Sequence, residues 1–228
     1  MGFLEAPLPA IEQTLVHWRR GLGEHFRISR VAEPMPDVLH RLEPLGAPRR
    51  ELWVSTGSSW VLFMDSYSDG TMSADCRMAY LSGTMHCRGL SISCIQHTLQ
   101  GKGKSATGAY GAVRFYLYGP RPRPGEILNN ERSISAMHDA GTGWRFDALG
   151  EVQPFEEVEQ YKAKRVQERF TPEMLLRYCA ALGIRLYEPS FYRPEGFVFE
   201  DLDCADGNLS LAEARAKLRI GDDDCGCP

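Results

Sequence analysis

Two stretches of strict alternation limit what this chain can fold into. In RGLSISCIQH, residues 88–97, Leu90, Ile92 and Cys94 fall on one side of an extended chain, with Ser91 and Ser93 on the other. AYGAVRFYLYG, residues 109–119, repeats the pattern, setting Val113, Phe115 and Leu117 against Arg114, Tyr116 and Tyr118. A period of two gives a helix no continuous apolar face, but it gives a strand one buried face and one polar face. More strands are predicted on similar grounds. ELWVST and SWVLFMD flank Gly57-Ser58, which points to a hairpin closed by a two-residue type II′ turn. ERSISAMHDAGTGWRFDALGE reads as a second hairpin, with Asp139–Gly143 as its loop and Trp144 and Phe146 on the core face.

Helical signals are of a different kind. Ile11, Leu15, Trp18 and Leu22 line one face of a first helix after Pro7 and Pro9, and a short helical segment is predicted around Val38, Leu39 and Leu42. Ser73 can cap a helix carrying Met78, Leu81 and Met85. RPRPGE, residues 121–126, is read as a rigid basic loop. Glu156, Glu157 and Glu159 precede Lys162, Lys164, Arg165 and Arg169, as a helix dipole prefers, so a helix is predicted there with Val158, Tyr161, Val166 and Phe170 as its apolar positions. The next helix has Thr171 as N-cap, Pro172 in its first turn, an apolar face of Met174, Leu175, Tyr178, Cys179 and Leu182, and Gly183 as its stop. Beyond it, Ile184, Leu186, Phe191, Tyr192, Phe197 and Phe199 suggest extended chain interrupted by Pro189 and Pro194. Ser210 and Glu213 form a capping-box pattern before a last helix. Strands precede helices without regular alternation. The expected fold is α+β, a mainly antiparallel sheet packed by helices, in a single domain over 1–220 with an acidic, cysteine-containing flexible tail at 221–228.

A length of 228 residues can bury a core without cross-links, and no apolar run approaches a membrane span. The N-terminal MGFLEAPLPAIEQ lacks the basic start and apolar stretch of a secretory signal, so the expected compartment is the cytoplasm. Seven scattered cysteines suit free thiols in a reducing environment. The net charge of −4 is unevenly spread: Glu195–Pro228 holds nine acids against three bases, leaving the first 194 residues at +2. An acidic end of this kind either only solubilises the chain as a solvated tail or repels nucleic acid and steers a basic partner.

Motifs that would carry chemistry fail on spacing. GKGKS at Gly101–Ser105 resembles a phosphate loop, yet Thr98 stands where the pattern needs glycine and no helix is predicted after it. ADGNLSLAE, residues 205–213, matches the second half of a calcium loop, but Leu202 and Cys204 occupy carboxylate positions. Cys225 and Cys227 cannot close a tetrahedral zinc site without histidines. No catalytic residue, metal ligand or cofactor is therefore assigned. A catalytic alternative, such as a small hydrolase, would have to assemble its site through the fold, from Asp65, Asp69, His97 and His138. A house-keeping scaffold or stress protein is a further reading.

GWRFDALGEVQPFEEVEQYKAKRVQERFTPEMLLRYCAALGI, with MAYLSGTMHCRGLSISC before it, resembles a group of uncharacterised bacterial proteins associated with the immunity proteins encoded beside interbacterial polymorphic toxins. The resemblance spans Trp53 to Ile184 and rests on turn residues, caps and core aromatics. It implies a cytoplasmic protein that neutralises a cognate toxin by direct binding; the missing catalytic set adds the expectation of a non-enzymatic role, and charge and hydropathy the expectation that neither nucleic acid nor a membrane is the partner. The expected contact residues are Tyr116 and Tyr118 on the polar face of their strand, and Glu200, Asp201, Asp203 and Asp206, which would meet a basic toxin face.

Overall fold

A computed structural model describes residues 1–67, 73–101, 107–121 and 129–219, with Ser73 lacking a described side chain. Nine strands form one antiparallel sheet: β1 (Gly2–Leu4), β2 (Phe26–Val31), β3 (Arg50–Thr56), β4 (Val61–Asp65), β5 (Gly89–Ile95), β6 (Ala112–Tyr118), β7 (Asn130–Asp139), β8 (Gly143–Gly150) and β9 (Tyr192–Asp201). Their order across the sheet is β2-β9-β3-β4-β1-β5-β6-β7-β8. Among the described residues four helices accompany them: α1 (Leu8–Gly21), α2 (Ser73–Met85), α3 (Pro172–Ala181) and α4 (Leu211–Leu218). The fold is α+β in a single domain.

Both sheet faces are covered, and the alternation within each strand divides its side chains between two cores. Leu52, Leu62, Leu90, Val113, Phe115, Leu117, Ile134 and Ala136 join Phe170, Met174, Leu175 and Tyr178 in the first. Trp53, Val61, Phe63, Phe197 and Phe199 join Ile11 and Leu15 of α1 and Met78 and Leu81 of α2 in the second. Fully burying each large apolar side chain contributes about 1.5–3 kcal/mol, so the helices are held mainly by these contacts. Strand β1 was not legible in the sequence. It inserts between β4 and β5, and a Cβ at Gly2 would lie 2.7 Å from Cγ of Met78, so glycine is what lets α2 lie directly on the sheet.

The structure corrects several local predictions. The β3–β4 connection is longer than a two-residue turn: Ser55 pairs with Val61, Gly57 is not among the positive-φ glycines, and its N–H donates to the Phe191 carbonyl. The Thr56 hydroxyl organises this loop, accepting from the Ser58 N–H and donating to the Trp60 carbonyl. The predicted helix over 156–169 is absent. Two single 3₁₀ turns, Gln160–Lys162 and Val166–Glu168, stand in its place. Glu156 is held by Arg132 at 2.8 and 2.6 Å and accepts from the Gln153 N–H, while the Tyr178 hydroxyl accepts from the Glu157 N–H. Those tertiary bonds outweigh the favourable charge order.

Leu22 lies just past the first helix and is 59% exposed instead of completing its apolar face, and Pro189–Phe191 forms a 3₁₀ turn where extended chain was expected, but several other predictions hold. Asp139 closes the β7–β8 loop by accepting from Gly141 N and Thr142 Oγ1, with Gly143 at φ 79°. Thr171 caps α3 through Met174 N, and the Ser210–Glu213 capping box is complete. Pro194 is tolerated within β9 because it lies where the β3 register shifts, beyond the β2 pairing. The Ser73 cap, Asp69, most of GKGKS and RPRPGE, and the 221–228 tail lie outside the described residues.

Candidate binding groove beside the second helix

Helix α2 sends Met78 and Leu81 into the sheet, and its other side walls a groove of about 780 Å³. Asp75, Cys76 and Tyr80 line the helical wall; Tyr116, Tyr118 and Asn130 line the opposite one. Tyr80 stacks on Trp18 of α1 at 4.1 Å, with the Arg77 guanidinium 4.9 Å from the same indole, so the wall is braced from behind. On the sheet side the Arg114 guanidinium lies 4.5 Å over the Tyr116 ring. Asp75 accepts from both Arg114 and the Ser91 hydroxyl, so the groove's acid is already neutralised and hydrogen-bonded.

Tyr118 is only 6% exposed, and burial pushes its phenol far above the ordinary range, so it acts as a neutral wall and not as an acid or base. Asn129 ties the groove's end together, donating to Ser82 Oγ at 2.7 Å and the Gly119 carbonyl at 2.8 Å. Asn130 donates to Ser133 Oγ, while its own Oδ1 is buried without a partner. That oxygen is an acceptor that a ligand's N–H or O–H could satisfy. Cys76 is the exposed thiol among the described cysteines, and no base is hydrogen-bonded to it.

Beneath the N-terminal half of α2 lies a buried ionic layer. Glu51 accepts from Arg19 at 2.6 Å and Arg77 at 2.5 Å through the same oxygen, joining α1 and α2 to β3. Asp65 is on this face too, and burial pushes its carboxyl up to about 6.

The four acids expected to meet a partner are gathered at the far end of β9, away from the groove. Glu200 is 5% exposed and accepts from Arg27, Arg49 and Arg50. Burial works against its charge, but the three guanidiniums outweigh it and hold the carboxyl below its usual range. Asp206 pairs with Arg50 at 3.1 Å and Arg49 at 3.3 Å. Asp203 accepts from the His25 N–H at 2.9 Å, and Asp201 accepts from the Asp203 N–H at 2.9 Å. These bonds clamp β9 to β2 and β3, and Tyr116 and Tyr118 share no contact with them.

Of the residues considered for catalysis, His97 and His138 come together, stacked at 4.5 Å beside Tyr110 and Trp144. His97 Nδ1 accepts from the Gly111 N–H, and the buried His138 Nδ1 has no partner, so among the described residues no carboxylate is bonded to either Nδ1. Asp65 is on the opposite sheet face, alongside Phe63. Among the described residues no three His, Cys, Asp or Glu side chains gather as a metal-binding group.

Sequence reasoning missed Tyr80, Asn129, Asn130 and the Asp75–Arg114 pair. One signal was present: Cys76, Tyr80 and Thr84 recur every four residues, away from Met78 and Leu81. No described helix is long and apolar enough to cross a membrane. No family model matches this chain, and no curated protein and no solved structure matches it.

Proposed function

We propose that this protein acts by binding: it is an immunity-type protein that neutralises a cognate bacterial toxin through stoichiometric protein–protein contact, and the α2 groove receives the toxin's anchoring side chains. The carrying observation is the groove's make-up, three tyrosines around an internally neutralised Asp75–Arg114 pair. Rigid aromatic walls with an unsatisfied amide oxygen suit recognition of an apolar or aromatic side chain flanked by a donor. Catalysis would ask for a nucleophile joined to a base, and the one exposed thiol in the groove has none. The acids at the end of β9 serve the fold in this reading, so steering by them is secondary to the groove.

Co-expression with the toxic product of a neighbouring gene tests the reading. The wild-type protein should restore growth, and Tyr80→Ala and Tyr116→Ala should lose that protection while remaining folded by circular dichroism. If no neighbouring product is toxic and bound, or if groove substitutions leave protection intact, the reading fails.

A further inference from the structure

The sheet ends in two open edges, β2 and β8, and they differ in what they can pair with. The hydrogen-bond phase of β8 follows from two bonds. Glu151 N–H donates to the Glu131 carbonyl, and His138 N–H donates to the Gly111 carbonyl, so odd-numbered residues of β7 face β8 and even-numbered ones face β6. In β8, Arg145, Asp147 and Leu149 are therefore bonded inward to β7. Trp144, Phe146 and Ala148 turn their N–H and C=O groups outward, and no described residue bonds them.

We infer that β8 is a self-association edge, pairing antiparallel with β8 of a second copy of this chain about a two-fold axis at Phe146. This register joins Phe146 to Phe146 and Trp144 to Ala148 in outward-facing pairs, giving about six further backbone hydrogen bonds. It also sets Arg145 opposite Asp147 of the second copy, twice by symmetry, in the closely spaced non-hydrogen-bonded positions. A shift of the axis by one residue would oppose Arg145 to Arg145 or Asp147 to Asp147, so the charges select the register. Leu149, 68% exposed, falls opposite Gly143, and the exposed Val152 follows it, which adds apolar surface to a short strand pair. Among the described residues Asp147 has no ion-pair partner, and Arg145 has one long, exposed pair, with Asp139 at 3.8 Å, which a closer partner can replace.

Strand β2 offers no equivalent. It carries Arg27 and Arg30 and no acid, so no register of self-pairing opposes unlike charges, and its basic side chains protect that edge. A strand pair with a small apolar flank lies at the weak end of specific interfaces, so the dimer should be concentration-dependent and salt-sensitive.

Sedimentation velocity of the full chain over a range of concentrations tests this. The wild type should shift from monomer to dimer. Asp147→Arg, which opposes two arginines twice, should weaken the dimer about tenfold or more. The exchange Arg145→Asp with Asp147→Arg should restore it. Ala148→Pro, which removes an outward N–H and leaves the β7 ladder whole, should give a folded monomer. Slowed amide exchange at Trp144, Phe146 and Ala148 with rising concentration would support the pairing directly. A wild type that stays monomeric at every concentration, or a dimer indifferent to Asp147→Arg and Ala148→Pro, overturns the inference. Toxin protection is read in a separate assay through the α2 groove, so failure of either proposal is recognisable by itself.

Discussion

The Arg132 guanidinium grips Glu156 through bonds of 2.8 and 2.6 Å, and their side chains are 3% and 0% exposed. This fork fixes the chain after β8 to the sheet, and the Tyr161 hydroxyl donates to the same carboxylate at 2.9 Å. Arg132→Met leaves a buried carboxylate uncompensated and should cost about 3–5 kcal/mol in denaturant unfolding. It should also speed amide exchange across 151–170 more than in β3 or β9.

Asp65 predicts a pH dependence of definite sign. Its carboxyl is raised to about 6, chiefly by burial, against an ordinary value of 3.8. The folded state therefore holds this proton over a window in which the unfolded chain has released it. The contribution of Asp65 is full below pH 4 and is lost as the pH rises to 6. Asp65→Asn should equal wild type near pH 4 and exceed it at pH 7 by roughly 1–3 kcal/mol. Denaturant melts at the two pH values check this, and equal stabilities at both would reject it.

The described thiols should differ in reactivity. Cys76 is exposed at the groove, while burial pushes Cys87 up to about 11 and holds the buried Cys179 higher still. Timed alkylation at neutral pH followed by peptide mapping should find Cys76 modified well before Cys87, Cys94, Cys179 and Cys204. A bound partner should slow the Cys76 reaction.

What was legible in the sequence was local. Alternation placed Leu90, Ile92, Val113 and Phe115 on one sheet face, and caps marked α3 and α4, because those signals come from residues a few positions apart. Strand β1 was hidden because three residues carry no period, and its place between β4 and β5 depends on partners up to 89 positions away. The charges over 156–169 read as a helix until Arg132, from another element, captured Glu156. The groove is non-local as well: Asp75 and Arg114 lie 39 residues apart, and Tyr80 faces Tyr116 only after α2 has crossed the sheet. Glu200 read as surface charge because the arginine partners that surround it lie far away in the chain, whereas Asp203 and Asp206 are exposed as read and their ion pairs are what the sequence did not show.

Groove substitutions should separate binding from stability. Tyr80 is partly exposed and contributes mainly to the stack on Trp18, so Tyr80→Ala should lower Tm by only a few degrees. The same change should weaken toxin binding by about 2 kcal/mol or more if the ring is an anchor. Calorimetric binding alongside thermal melts measures both, and a variant that loses stability without losing affinity would remove Tyr80 from the contact.

The central claim is that protection comes from occupancy and not from turnover. Residual activity of the neighbouring-gene toxin, titrated with this protein at toxin concentrations well above the Kd, measures that directly. The predicted result is a linear fall to an end point at one chain per toxin, unchanged by longer incubation and abolished by Tyr116→Ala. Inactivation by substoichiometric protein that deepens with time, or no inhibition at any ratio, would contradict the account.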